Sequence, residues 1–138
     1  MAHSLHNYDG LCQHIHGHSY KLDVTLIGEP KNQPNAVKDG MVIDFGDLKK
    51  MVKKKIVDKF DHSYMVSSRY SAERIEHLRR NTERLIVVDF QPTAENILVY
   101  IAEILQQHLP SSVELFSIRL SETATAYAEW FASDNIKK

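Results

Sequence analysis

The sequence predicts an α+β domain, an antiparallel four-stranded sheet with two helices on one face. Three observations lead there. Residues 18–27 alternate strictly, with Tyr20, Leu22, Val24 and Leu26 on one face and Lys21, Asp23 and Thr25 on the other, the pattern of a half-buried strand. Two segments carry apolar residues at spacings of three and four, as amphipathic helices do. Near the C-terminal end, strand-like residues 113–122 and 126–131 are separated only by Thr123, Ala124 and Thr125, short enough for a hairpin. Strand, strand, helix, helix, strand, strand is an order that layers both helices on one sheet face.

The elements follow in chain order. After the first strand, residues 28–40 hold two prolines and two asparagines without periodicity and read as a loop, and Met41, Val42 and Ile43 read as a short strand. Asp44 can cap the first helix, Asp47 falls in its first turn, and Leu48, Met51, Val52 and Ile56 form its apolar stripe. From Phe60 to Leu85 the pattern weakens into a peripheral excursion, with a short helix over 71–80 and a brief strand over 85–88. Pro92 and Thr93 open the second main helix; Ala94, Ile97, Leu98, Ile101, Ile104 and Leu105 form its inner face, and Pro110 stops it.

Composition excludes several functions. The 138 residues fit one domain, because half that length rarely sustains a core unaided. Seventeen basic and eighteen acidic side chains, a formal charge of -1, lack the footprint of a general nucleic-acid binder. No apolar run is long enough to span a bilayer and no signal-peptide pattern opens the chain, so a cytoplasmic protein without a membrane partner is expected. The single cysteine, Cys12, rules out an internal disulfide and is either a buried small hydrophobe or a chemical group. The five lysines 49, 50, 53, 54 and 55 lie opposite an apolar stripe and read as its solvated face.

Histidine is the residue out of proportion. Of eight, five (His3, His6, His14, His16 and His18) lie in the first eighteen positions, around Cys12. On a strand, His16 and His18 point to the same side and can offer two neutral imidazoles to one zinc ion. His14 shares that parity, but four residues of strand cover about 13 Å, too far for a common ion with His18. Spacing alone leaves His3 and His6 as candidates for a third ligand.

Ala2-His3, Cys12 four residues before His16, and His16-Gly-His-Ser-Tyr20 together resemble the zinc signature of the 6-pyruvoyl-tetrahydropterin synthase family. Val42-Ile-Asp-Phe45, Asp61-His62, Pro92-Thr-Ala-Glu95 and Glu122-Thr-Ala-Thr125 match further family landmarks in order. The short gap from Cys12 to His16 is closest to the 6-carboxy-tetrahydropterin synthases of queuosine biosynthesis. This resemblance implies a zinc enzyme acting on 7,8-dihydroneopterin triphosphate, with His3, His16 and His18 as ligands and His6 and His14 without a ligand role. It further implies Cys12 as general base, Asp61 and His62 as a second proton carrier, Glu122 as anchor of the pterin ring, and Thr93 and Glu95 as its frame.

The same resemblance implies a tunnelling fold whose subunits close a barrel as trimers, two of which stack into a homohexamer with sites between subunits. Family members begin with a strand before the Ala-His, whereas Met1 alone precedes it here, so a single domain over 1–138 lacking its first strand is expected. Two other readings stay open: triphosphate elimination to 6-pyruvoyl-tetrahydropterin, and a non-catalytic binding module stabilised by zinc.

Overall fold

The computed structural model describes residues 1–135, and its backbone forms two sheets around helices. Strand β3 (Lys21–Gly28) pairs antiparallel with β6 (Val113–Ser121), which pairs antiparallel with β7 (Tyr127–Phe131). The second sheet runs β2 (His16–Gly17), β1 (Ala2–His3), β4 (Tyr64–Ser67), β5 (Leu85–Val88) and is mixed, since β1, β4 and β5 are parallel and only β2 is antiparallel.

This corrects the expectation of one four-stranded antiparallel sheet. The α+β class holds; the sheet does not. The supposed excursion is a β-α-β unit, β4, helix α3 (Ala72–Asn81) and β5; the short helix expected over 71–80 and the strand expected over 85–88 are both present, packed into the fold, and β4 is the element not expected. Strand β4 escapes a periodicity reading because it is covered on both faces and does not alternate. Met65 and Val88 enter the main core, while Tyr64, Val66 and Tyr70 pack with Ile75, Leu78, Leu85 and Val87 in a separate cluster beneath α3. Strands β1 and β2, two residues each, are too short to show any period.

Residues 41–43 are not a strand either. Lys31 N–H donates to Met41 O at 3.1 Å and Gly40 N–H to Lys31 O at 2.8 Å, so this stretch closes the loop and delivers Asp44 to its cap. The Asp44 carboxylate accepts from the backbone N–H of Gly46 and Asp47, starting α1 (Phe45–Val52) where expected. The helix then widens into a π-helical stretch, Lys53–Val57, before α2 (Asp58–Phe60), turning Ile56 and Phe60 into the core.

Helix α4 (Ala94–His108) is the spine of the core. Thr93 caps it, and Ile97, Leu98, Ile101 and Leu105 are buried against Leu115, Ile118, Leu120 and Trp130 of the three-stranded sheet. Leu105 is fully enclosed, so Leu105→Ala is expected to cost about 2–5 kcal/mol, readable as a lower denaturant midpoint with unchanged slope.

Candidate metal centre and adjoining cavity

Strand β1 is the hinge of the site. Ala2 and His3 pair with Gly17 and His16 on one side and with Tyr64 and Met65 on the other. Ala2 N–H also donates to Ser63 O at 2.8 Å, drawing the segment after α2 against the same strand. That segment turns through His62, at φ 57° in the left-handed region. Short pairings thus gather three distant stretches: the Ala-His, the His-Gly-His and the Asp-His.

His3, His16 and His18 converge, with one ligand atom from each within 4.8 Å of the others. Two backbone carbonyls fix the rings. His3 Nδ1 lies 2.7 Å from Pro92 O, and His16 Nδ1 lies 2.8 Å from His14 O. A carbonyl only accepts, so Nδ1 carries the proton in both rings and both neutral Nε2 atoms present lone pairs. Those two Nε2 atoms face each other at 3.0 Å. Lone pairs this close require a cation between them, either a proton on one ring or a metal.

On His3 the proton is disfavoured. His3 is 3 % exposed, and burial, reinforced by His16 and His18, holds its pKa below the ordinary imidazole value despite the Pro92 carbonyl and Glu122. A tetrahedral zinc with bonds of about 2.0–2.1 Å would set two nitrogens about 3.3 Å apart, close to the spacing seen. The donor set, three neutral imidazoles with two oriented by carbonyls, fits zinc.

Tyr20 completes the cluster and was not among the expected site residues. Its hydroxyl donates to Glu122 Oε1 at 3.1 Å and lies 3.5 Å from His3 Nε2. Burial, then the charge and hydrogen bond of Glu122, raise the Tyr20 pKa, so the phenol keeps its proton. The signal was in the sequence: Tyr20 shares strand parity with His16 and His18. Glu122 Oε1 itself is 3.8 Å from His3 Nε2, so the residue expected to hold substrate stands beside the histidines.

A cavity of about 460 Å³ opens next to this cluster. Its polar wall is His18, Ser19, Tyr20, Asp61 and His62, and its apolar floor includes Ile56, Phe60, Ile97, Ile101 and Leu120. Asp61 Oδ2 and His62 Nδ1 are 3.0 Å apart, an ion-pairing distance, with both side chains largely exposed. The volume suits a small organic ligand.

Other expected residues stand apart. Cys12, a free half-buried thiol on the 3-10 turn Leu11–Gln13, lines neither the cavity nor the histidine cluster among the described residues. Thr93 Oγ1 accepts from Asn96 N–H as the cap of α4, and Glu95 is exposed in its first turn. His6 sets its ring edge against Tyr70, and His14 acts through its carbonyl.

The family model for 6-pyruvoyl tetrahydropterin synthase matches residues 1–133. The chain belongs to that family. A protein of Haemophilus influenzae named 6-carboxy-5,6,7,8-tetrahydropterin synthase is 39% identical over 132 residues, covering 94% of this chain and 91% of that protein. Among solved structures, 6-pyruvoyl tetrahydropterin synthase of Caenorhabditis elegans superposes with a TM-score of 0.62 at 26% identity, covering 94% of this chain and 86% of that one. An uncharacterized protein of Wolinella succinogenes superposes at 0.73 with 23% identity, covering 94% and 91%, and shares the fold. The motifs that gave the resemblance therefore belong to a family match spanning nearly the whole chain, and the protein is an enzyme of this family. No helix among the described residues is long and apolar enough to cross a membrane.

Proposed function

We propose that the chain is a zinc-dependent lyase that converts 7,8-dihydroneopterin triphosphate and one water to 6-carboxy-5,6,7,8-tetrahydropterin, releasing acetaldehyde and triphosphate. The observation that carries the metal is the pair of Nε2 atoms facing each other at 3.0 Å inside a cluster of three histidines. The choice of product rests on relatives named 6-carboxy-5,6,7,8-tetrahydropterin synthase and on the short spacing from Cys12 to His16.

Zinc held by His3, His16 and His18 would polarise the hydroxyls of the substrate side chain and acidify the neighbouring C–H bonds. The chain's own groups move the protons. Cys12, as thiolate, takes one, and His62, oriented by Asp61, carries a second. Glu122 gives one oxygen to Tyr20 and turns the other to the amino and ring N–H groups of the pterin, as a carboxylate can. Thr93 and Glu95 frame the ring from the start of α4.

Within one chain Cys12 is outside the cavity and the Asp61–His62 pair faces solvent. We infer that the working site is closed by neighbouring subunits, trimers forming a barrel and two trimers a hexamer. A lone thiol fits a reducing compartment, so we place the enzyme in the cytoplasm.

Zinc-loaded protein incubated with dihydroneopterin triphosphate and followed by product mass analysis tests the reaction. Acetaldehyde with a 6-carboxy product is expected. A 6-pyruvoyl product would refute the cleavage step, and unconsumed substrate would favour the binding module.

A further inference from the structure

We propose that Gln91, a residue outside both the histidine cluster and the cavity, is a positioning residue that sets the metal ligand His3 and the Cys12 turn together. The proposal rests on the zinc reading above. After His3 the chain leaves the sheet, and residues 4–6 have no strand neighbour. Gln91 supplies one. Its side-chain Oε1 accepts from His6 N–H at 3.0 Å and its Nε2 donates to His6 O at 2.7 Å, so one amide satisfies both backbone groups of a single residue, as a paired strand would.

The clamp is anchored at both ends. Asn96 Nδ2 donates to Gln91 O at 2.9 Å, tying Gln91 to the first turn of α4. The next residue is Pro92, whose carbonyl takes the His3 Nδ1 proton at 2.7 Å and so leaves Nε2 free for a metal. Holding His6 beside Gln91 holds His3 beside Pro92. Between them, Leu5 N–H donates to Cys12 O at 2.9 Å, so the same three-residue segment also sets the height of the Cys12 turn. Ser4 is fixed separately, its hydroxyl lying 2.7 Å from Tyr64 Oη and 3.0 Å from Tyr70 Oη. Gln91 is thus the side chain through which helix α4 fixes both the segment that carries a ligand and the turn that carries the thiol.

An outer partner that orients a metal-bound histidine commonly contributes 10–100-fold in metal affinity. The test is competition of wild type, Gln91→Ala and Gln91→Glu against a zinc chelator, together with the visible spectrum of each cobalt-loaded protein. Gln91→Ala is expected to bind zinc about 10–100-fold more weakly and to shift the cobalt bands, because the His3 ring loses its alignment. Gln91→Glu, which keeps the acceptor for His6 N–H, is expected to fall between. Asn96→Ala, an exposed change that loosens Gln91 without removing its side chain, is expected to weaken zinc in the same direction, which keeps the test informative should Gln91→Ala not fold. Wild-type zinc affinity and an unshifted spectrum in both Gln91→Ala and Asn96→Ala would overturn the positioning role while leaving the metal centre intact. Absence of zinc binding by wild type would overturn the metal reading itself, and the positioning role with it.

Discussion

Cys12→Ala is expected to lower turnover by about 10²–10⁴-fold while zinc content stays at the wild-type level. The thiol sits on a 3-10 turn outside the histidine cluster, so removing it leaves the candidate ligands untouched. The backbone bond from Leu5 N–H to Cys12 O does not use the side chain, so the turn is expected to persist. An inert packed thiol predicts the opposite pattern, near-normal turnover with a small loss of stability. Steady-state rates and metal analysis on the same preparation separate the two, and normal turnover would withdraw the general-base assignment.

His16→Ala is expected to abolish both zinc retention and turnover without unfolding the chain. The imidazole is only half-buried, its Nδ1 bonds the nearby His14 carbonyl and its Nε2 faces His3 Nε2, so little packing is lost. Losing a direct ligand should weaken zinc by more than the 10–100-fold typical of outer partners. His3→Ala is expected to lose zinc as well but to destabilise the fold in addition, because it empties a buried site and orphans the Pro92 carbonyl. Dialysis against a chelator followed by metal analysis and thermal melting checks both variants against wild type; a His16→Ala variant that keeps zinc and activity would remove His16 from the centre.

The two variants also show what the sequence made legible. The ligand set is local and chemical: two histidines in a His-Gly-His and one in an Ala-His carry a pattern that no secondary-structure reading is needed to find. Strand β3, helices α1 and α4 and the terminal hairpin were legible because each buries one face and so shows a period. Strand β4 was not, because main core and α3 cover its two sides and four buried residues carry no period. Missing β4 meant missing the parallel sheet, and with it the strand that seats β1 and brings Asp61–His62 to the cavity wall. Tyr20 was visible by parity, but its link to Glu122 spans 102 positions and depends on how β3 pairs with β6. Gln91 carried no signal at all, since an amide that pairs with a backbone has no sequence signature.

The central claim is that three imidazoles are held ready for one metal ion, and cobalt(II) titration of metal-free wild-type protein tests it most directly. One equivalent per chain, saturable and giving the strong visible bands of four-coordinate cobalt, is the expected result, with the bands lost in His16→Ala. No saturable binding, or the same bands in His16→Ala, would contradict it.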